Sequence, residues 1–349
     1  MNLFIFVMAG GTGERFWPMS RVRTPKHLLR LFSEKTLLEE AVDRALGVVP
    51  TDHVFVLTNA AQLDSCRAAV PNLPAENFIA EPAKRDTAPA AALATGFARA
   101  RAEDAVVALL PADAMIHDTA TFQSQLRSAA QAVDGTDAVL TFSISPSYPA
   151  TGFGYLELGD ALPDLAPDAC SVVRFVEKPN IDLADTYFKS GQFGWNAGMF
   201  LWSASTFLAE CDREVPELAE FIRNFPTGNP KAYLAEAFAS LPKISVDYAI
   251  MERAEKVIAI RAAFDWDDVG TWTALPTHLG KGSNGNTARG PAVSVDSHNN
   301  ITVSNGRTIA LCGVSDLVVV ETDDAILVCH RNSAQNVKQL QSELPDELR

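Results

Sequence analysis

The sequence predicts an α/β fold: a Rossmann-like mixed, mostly parallel sheet with helices on both faces, followed by a small C-terminal β domain. Three observations carry this. Short apolar runs alternate with helically spaced segments from Leu3 to Ile144, the pattern of a layered sheet with crossover helices. The first run stops at Gly10-Gly11-Thr12-Gly13, where the backbone can turn sharply and present N–H groups to another molecule. After a stretch rich in Gly, Ser and Asn, Gly280 to Gly290, five short β-type segments follow at near-regular spacing.

Taken in order, Leu3 to Met8 reads as a buried strand. Thr36 to Val48 has helical spacing through Leu37, Leu38, Ala41, Val42 and Ala45. Val54 to Leu57 is a strand, Ala60 to Val70 a helix, and Phe78 to Glu81 the end of a strand. Asp86 or Thr87 can cap the alanine-rich helix Ala90 to Ala102, with Pro89 tolerated in the first turn. Ala105 to Leu110 is a strand ending in Pro111-Ala112-Asp113; Phe122 to Val133 is helical and Ala138 to Ile144 a strand. In the less regular middle, strands begin at Gly152 to Leu156, end at Ser171 to Pro179, and cover Gly194 to Trp202. Helices are expected at 204–211, 215–224, 231–239 and 248–254, then a strand at Val257 to Ile260. The five C-terminal segments are 292–295, 300–303, 308–311, 317–320 and 325–328, and Ala334 to Leu344 is expected to be a helix. This predicts two domains, 1–280 and 281–349.

With 349 residues, 47% apolar and 21% charged, the chain can bury an ordinary core. Its net charge of −14 argues against nucleic acid or an anionic membrane as partner. Five scattered cysteines without metal spacing fit reduced thiols, and so a cytoplasmic protein. The N-terminal apolar run is too short for a signal peptide core, and no stretch approaches a membrane span.

Against this acidic background, Glu14 to Arg30 holds five basic residues (Arg15, Arg21, Arg23, Lys26, Arg30) and one acid. A cationic island directly after a glycine loop fits a focused site for a polyanion. Pro18 and Pro25 stiffen it. Ligands of open α/β sheets sit at the carboxyl ends of the strands, and the glycine loop, Glu81 and Asp113 all fall there. Asp113 suits either a divalent metal or a helix N-cap. Asp265, Asp267 and Asp268 are interleaved with Trp266 and Trp272, which favours a partly buried site over a solvated loop. Glu177-Lys178 is either a surface pair or a sugar hydroxyl acceptor beside a phosphate-pairing cation. Asn196, polar inside an apolar strand, is either a satisfied core amide or a ligand group.

The ordered motif Gly10-Gly11-x-Gly13-x-Arg15-x-x-Pro18-x-Ser20, then Pro25-Lys26, resembles the signature of sugar-1-phosphate nucleotidylyltransferases. The form Phe16-Trp17-Pro18-Met19-Ser20-Arg21 is similar to that of the mannose-1-phosphate guanylyltransferases. The resemblance continues through Phe175-Val176-Glu177-Lys178-Pro179, Trp195 to Phe200, Asp267 to Trp272 and Val318 to Ala325. It departs at His27, where the family usually has Gln, and at Ala114, where it often has His. The resemblance implies GTP and mannose 1-phosphate as substrates, GDP-mannose and pyrophosphate as products, Mg2+ as cofactor, and a homodimer. It also implies that the small C-terminal domain is β-helix-like.

On the same resemblance, Gly10, Gly11, Thr12, Gly13 and Arg15 hold the triphosphate and Lys26 neutralises the α-phosphate. Asp113 and Asp268 hold the metal. Glu81, with Thr87, Ala88 and Pro89, forms the base pocket, and Gly154, Tyr155, Glu177, Lys178 and Asn196 hold the sugar phosphate. The alternatives are the same chemistry on another sugar 1-phosphate, such as a heptose, or another base, and a non-catalytic nucleotide-sugar sensor.

Overall fold

The structure is a computed structural model describing Met1–Arg349. Its main sheet has nine strands: β1 (Asn2–Ala9), β2 (Val54–Asn59), β3 (Phe78–Glu81), β4 (Ala105–Pro111), β5 (Val139–Ile144), β6 (Tyr155–Ala161), β7 (Ala169–Val176), β8 (Phe193–Ser203) and β9 (Val257–Arg261). They run in the order β3-β2-β1-β4-β8-β5-β9-β7-β6. The sheet is mixed. Parallel pairing joins β3-β2-β1-β4 and β5-β9. The long strand β8 runs antiparallel between β4 and β5, and β7 is antiparallel to β9.

The alternation of side chains along β1 builds two cores. Leu3, Ile5 and Val7 face α1 (Leu37–Leu46) and α4 (Thr119–Asp134), while Phe4 and Phe6 face α3 (Thr87–Arg99). Each helix start has a local cause. At α1, Thr36 Oγ1 accepts the Glu39 N–H while the Glu39 carboxylate accepts the Thr36 N–H, a reciprocal cap. At α3, Asp86 accepts the Thr87 N–H, so the helix begins three residues before the expected Ala90. The short helix α2 (Leu63–Ala69) follows β2, and α5 (Ile181–Ser190) follows β7 where no helix was expected. Segments 204–214, 216–223 and 231–237 are α-helical, and Asp247–Met251 is a π-helical turn. No helix is long and apolar enough to cross a membrane.

After Gly280, the expected linker already contributes a strand, β10 (Thr287–Arg289), whose Thr287 is buried. β11 (Ala292–Val295), β12 (Ile301–Val303), β13 (Ile309–Cys312), β14 (Leu317–Glu321) and β15 (Ile326–His330) follow. β10, β12 and β14 stack in parallel, as do β11 and β13, so the chain winds in coils and closes with antiparallel β15. The expected terminal α-helix is instead a 3₁₀ helix, Arg331–Ser342, with Ala334 and Val337 buried one 3₁₀ turn apart.

This coil shares a core with the signature segment. Phe16, Trp17, Leu29, Leu31, Val269 and Trp272 pack with Ile301, Val303, Val318, Val320 and Val337. The indole N–H of Trp272 donates to the Trp17 carbonyl at 3.2 Å, and that of Trp17 to the Leu348 carbonyl at 2.9 Å. The segment carrying Arg15 and Lys26 is therefore clamped from behind.

Candidate active site

The carboxyl ends of β1, β3 and β4 open onto one cavity. Gly10, Gly11, Gly13, Lys26, Glu81, Thr87, Asp113, Lys84 and Lys243 line it. The N–H groups of Gly10 to Gly13 find no acceptor within the protein, and side-chain space above Gly10 and Gly11 is open. These are unspent donors of the kind an anion takes. Gly13 is required for two reasons. Its φ is +66°, and a Cβ there would lie 2.3 Å from Lys26 Cβ.

Lys26 is buried, and its ammonium donates to Asp113 Oδ2 at 2.9 Å and to the Asp268 backbone carbonyl. Lys26, Asp113 and Asp268, scattered along the sequence, are thus brought together. Arg15 is exposed and has no carboxylate partner, yet its charge is felt at Asp268. Arg21 turns away, pairing with Asp324 at 3.0 Å and lying over the Trp17 ring. The basic island therefore divides: Lys26 and Arg15 attend the site, and Arg21 fastens the C-terminal coil.

The three acids Asp265, Asp267 and Asp268 have different fates. Both oxygens of Asp265 accept backbone N–H groups, from His117 at 3.0 and 2.9 Å and from Asp118 at 2.7 Å. Asp267 is equally committed: Oδ1 takes the Val269 N–H at 2.7 Å and Oδ2 faces His278 Nε2 at 3.1 Å. Only the Asp268 carboxylate accepts no hydrogen bond from the protein. Burial pushes it up to about 6, helped by Asp267 and Asp113 and opposed by Lys26 and Arg15. Burial also raises Asp113, but the charge and hydrogen bond of Lys26 outweigh this and hold it below the ordinary carboxylate range.

The donor set fits a hard divalent cation. The free Asp268 carboxylate and the half-exposed Asp113 offer oxygens only, and no cluster of three or more His, Cys, Asp or Glu exists to complete a protein cage. Two carboxylates plus substrate phosphates is the pattern expected for an ion that keeps part of its shell from ligand and water.

In the part of the cavity expected to take the base, Glu81 is raised to about 7 by burial. Thr87 lines the cavity, and its hydroxyl accepts the Val246 N–H at 2.8 Å. Ala88 and Pro89 are buried in the helix and do not line it; Ala88 N–H is committed to the Ile244 carbonyl, and Ala90 stands at the wall instead.

Among the residues expected to hold the sugar phosphate, a Cβ on Gly154 would lie 2.5 Å from Glu177 Oε2 and 3.4 Å from Asn196 Cβ, so these three converge. Lys178 Nζ pairs with Glu177, and burial, which lowers its pKa, is outweighed by that partner. Asn196 is largely spent. Its Oδ1 accepts Thr141 Oγ1 at 2.8 Å and the Gly198 N–H at 3.2 Å, and its Nδ2 donates to Asp247 Oδ1 at 3.1 Å. Tyr155 sends its ring into the core against Tyr187, fully buried, so its side chain does not face the pocket. The reason is register: Gly154 and Tyr155 alternate across the sheet, and only one can face each side.

Asp247 is the residue sequence reasoning missed. Burial, then the Glu177 charge, pushes it up to about 7. An acid opening the apolar run Tyr248-Ala249-Ile250-Met251 was the available signal. Lys243, four residues earlier, lines the cavity at the glycine loop, so one segment reaches both that cavity and the Glu177–Asn196 cluster.

Known proteins match this chain along nearly its whole length. The family described as nucleotidyl transferase matches residues 5–279, and a mannose-phosphate isomerase/GMP-like beta-helix domain matches residues 290–344. A mannose-1-phosphate guanylyltransferase of Klebsiella pneumoniae is 37% identical over 345 residues, covering 95% of this chain and 72% of the relative. The enzyme of that name in Escherichia coli K12 is 35% identical, covering 97% and 73%. A crystal structure from Thermus thermophilus, described as a mannose-1-phosphate geranyltransferase, superposes with a TM-score of 0.90 at 32% identity, covering 98% of this chain and 99% of that one.

Proposed function

The chain belongs to the nucleotidyl transferase family and, within it, to the mannose-1-phosphate guanylyltransferases; from that premise we propose that it transfers GMP from GTP to mannose 1-phosphate, giving GDP-mannose and pyrophosphate. The observation that carries the reading is Lys26, held between Asp113 and the Asp268 carbonyl beside a glycine loop with unspent N–H groups.

The reaction needs two anions brought together and charge stabilised on the α-phosphate. The nucleophile is already a phosphate oxygen, so no strong general base is needed. It attacks the α-phosphorus, the bond to the β-phosphate oxygen breaks, and pyrophosphate leaves with that electron pair. The N–H groups of Gly10 to Gly13 and Arg15 bind the triphosphate. Lys26 offsets charge on the α-phosphate. Lys178 pairs with the sugar phosphate while Glu177, with Asp247 set by Asn196, accepts from the sugar hydroxyls. Glu81 accepts from the N1–H and amino group of guanine.

Nucleotidyl transferases generally use a divalent metal; we assign Mg2+ here, held by Asp113 and Asp268. When bound it supplies positive charge to phosphate oxygens. We further take residues 1–280 as the catalytic unit, 281–349 as the unit that backs it, a homodimer as the assembly and the cytoplasm as the location.

The test is pyrophosphate release with four nucleoside triphosphates crossed with several sugar 1-phosphates. GTP with mannose 1-phosphate should exceed every other pair. Release fastest with another base or a heptose 1-phosphate would reassign the substrates. Release with none would contradict transferase activity and leave a nucleotide-sugar sensor.

A further inference from the structure

The two carboxylates assigned to the metal lie on loops more than a hundred residues apart, and the protein ties those loops together directly. Met115, two residues past Asp113, forms a two-bond antiparallel bridge with Asp267: its N–H donates to the Asp267 carbonyl at 2.8 Å and its carbonyl accepts the Asp267 N–H at 3.0 Å. Asp265 adds the three bonds to the 117–118 backbone. A side-chain chain closes the same loop pair. His117 Nε2 lies 2.9 Å from His278 Nδ1, and His278 Nε2 lies 3.1 Å from Asp267 Oδ2. With a proton on each Nε2, every group is satisfied: His117 donates to His278, and His278 donates to Asp267.

The far end of this chain is the informative part. Asp267 Oδ1 accepts the N–H of Val269, which holds φ at +49°. A β-branched residue in that region is a steric outlier that persists only where its surroundings impose it. The strained residue immediately follows Asp268 and shares a peptide unit with it, so its conformation orients the Asp268 carbonyl that accepts Lys26 and constrains the backbone that carries the carboxylate. No protein group donates to the Asp268 carboxylate itself. His278 is itself held fast: its side chain is only 5% exposed and its ring packs on Phe32 with centroids 4.5 Å apart.

We propose that His278 is a positioning residue: through Asp267 it holds the Val269 turn and so sets Asp268 opposite Asp113 before a cation binds. The inference rests on the assignment of Asp113 and Asp268 as cation ligands, and the experiment separates the two. Mn2+ is titrated into the full-length protein, with and without a non-hydrolysable GTP analogue, and free Mn2+ is read from its EPR signal. Thermal unfolding and the KM for mannose 1-phosphate are measured alongside.

His278→Ala should weaken Mn2+ binding about ten-fold, the usual cost of losing a group that orients a ligand. The KM for mannose 1-phosphate should stay within two-fold. His278→Gln, whose amide N–H can still reach Asp267, should recover most of the loss even if both variants melt at the same lowered temperature. Asp268→Asn serves as the reference and should bind Mn2+ far more weakly than either. Wild-type Mn2+ affinity in His278→Ala while Asp268→Asn is impaired would overturn the positioning role alone. Equal affinity in Asp268→Asn and wild type would overturn the metal assignment beneath it. No rescue by Gln, with the KM for mannose 1-phosphate raised in both variants in step with the loss of thermal stability, would make His278 a merely structural residue and also overturn the proposal.

Discussion

The corners proposed to take the triphosphate and the sugar are finished to different degrees. Around Gly10 to Gly13 the N–H groups have no acceptor, and Arg15 has no carboxylate partner. Around Asn196 the polar groups already satisfy one another, from Thr141 through Asn196 to Asp247, with Glu177 paired to Lys178. The difference fits the proposed ligands. A triphosphate is flexible and highly charged, so its site needs free donors and a fixed cation. A sugar is told from its epimers by the placement of hydroxyls, so its acceptors must be set in advance, before binding.

The largest expected effect breaks the phosphate corner. Lys26→Ala removes the one buried cation between the two aspartates and should lower turnover by about 10²–10³-fold, the range seen when a transition-state donor is lost. Steady-state kinetics at saturating substrates check this; a loss confined to KM would place Lys26 in ground-state binding instead. At the sugar corner the signature should be the opposite. Lys178→Ala should raise the KM for mannose 1-phosphate by roughly 10-fold or more, the worth of a charge-assisted bond, and leave that for GTP nearly unchanged. A larger change in the GTP value would mean the corners are misassigned.

A smaller effect sharpens the base end. Glu81 sits near 7 in the free protein because of burial. On the proposed reading guanine donates to the ionised form, so binding must lower that pKa and release a proton. Affinity for GTP therefore rises with pH through about 7 and levels off above it. Between pH 8 and pH 6 the KM for GTP should increase by about ten-fold, and Glu81→Gln should flatten the profile. A profile in Glu81→Gln identical to wild type would remove Glu81 from base reading. The smallest effect lies behind the site. Arg21→Ala loses a partly exposed ion pair with Asp324, and unfolding should register no more than about 1 kcal/mol.

The sheet and its strand-end residues were legible because they depend on local signals. β1, the glycine loop and Asp113 each announce themselves by apolar runs and by what interrupts them. α5 was hidden because it is half solvated: Ile181 and Leu183 are exposed and only Ala184 and Tyr187 are buried, which blurs the period. Its ends were nonetheless readable, since Asn180 caps it and Gly191 ends it at φ +66°. β10 was hidden inside a composition typical of linkers, because a coil corner uses the same Asn and Gly as a loop.

The site divides in the same way. That a cationic loop binds phosphate can be read locally. Which of Asp265, Asp267 and Asp268 is free cannot, because, apart from the Val269 N–H, the groups that occupy the first two come from His117, Asp118 and His278. The two histidine partners are 148 and 11 residues away. Asn196 shows the limit from the other side: its motif marks it as a ligand group, while its bonds show it holding Asp247.

The claim on which the account turns is that both phosphates meet at Asp113 and Asp268. Mn2+-enhanced ³¹P relaxation measures this directly, with mannose 1-phosphate and a non-hydrolysable GTP analogue bound together. The account predicts strong relaxation of both the α-phosphate and the sugar phosphate in the wild-type protein, lost for both in Asp113→Asn. Relaxation of only one phosphate, or relaxation undiminished in that variant, would contradict it.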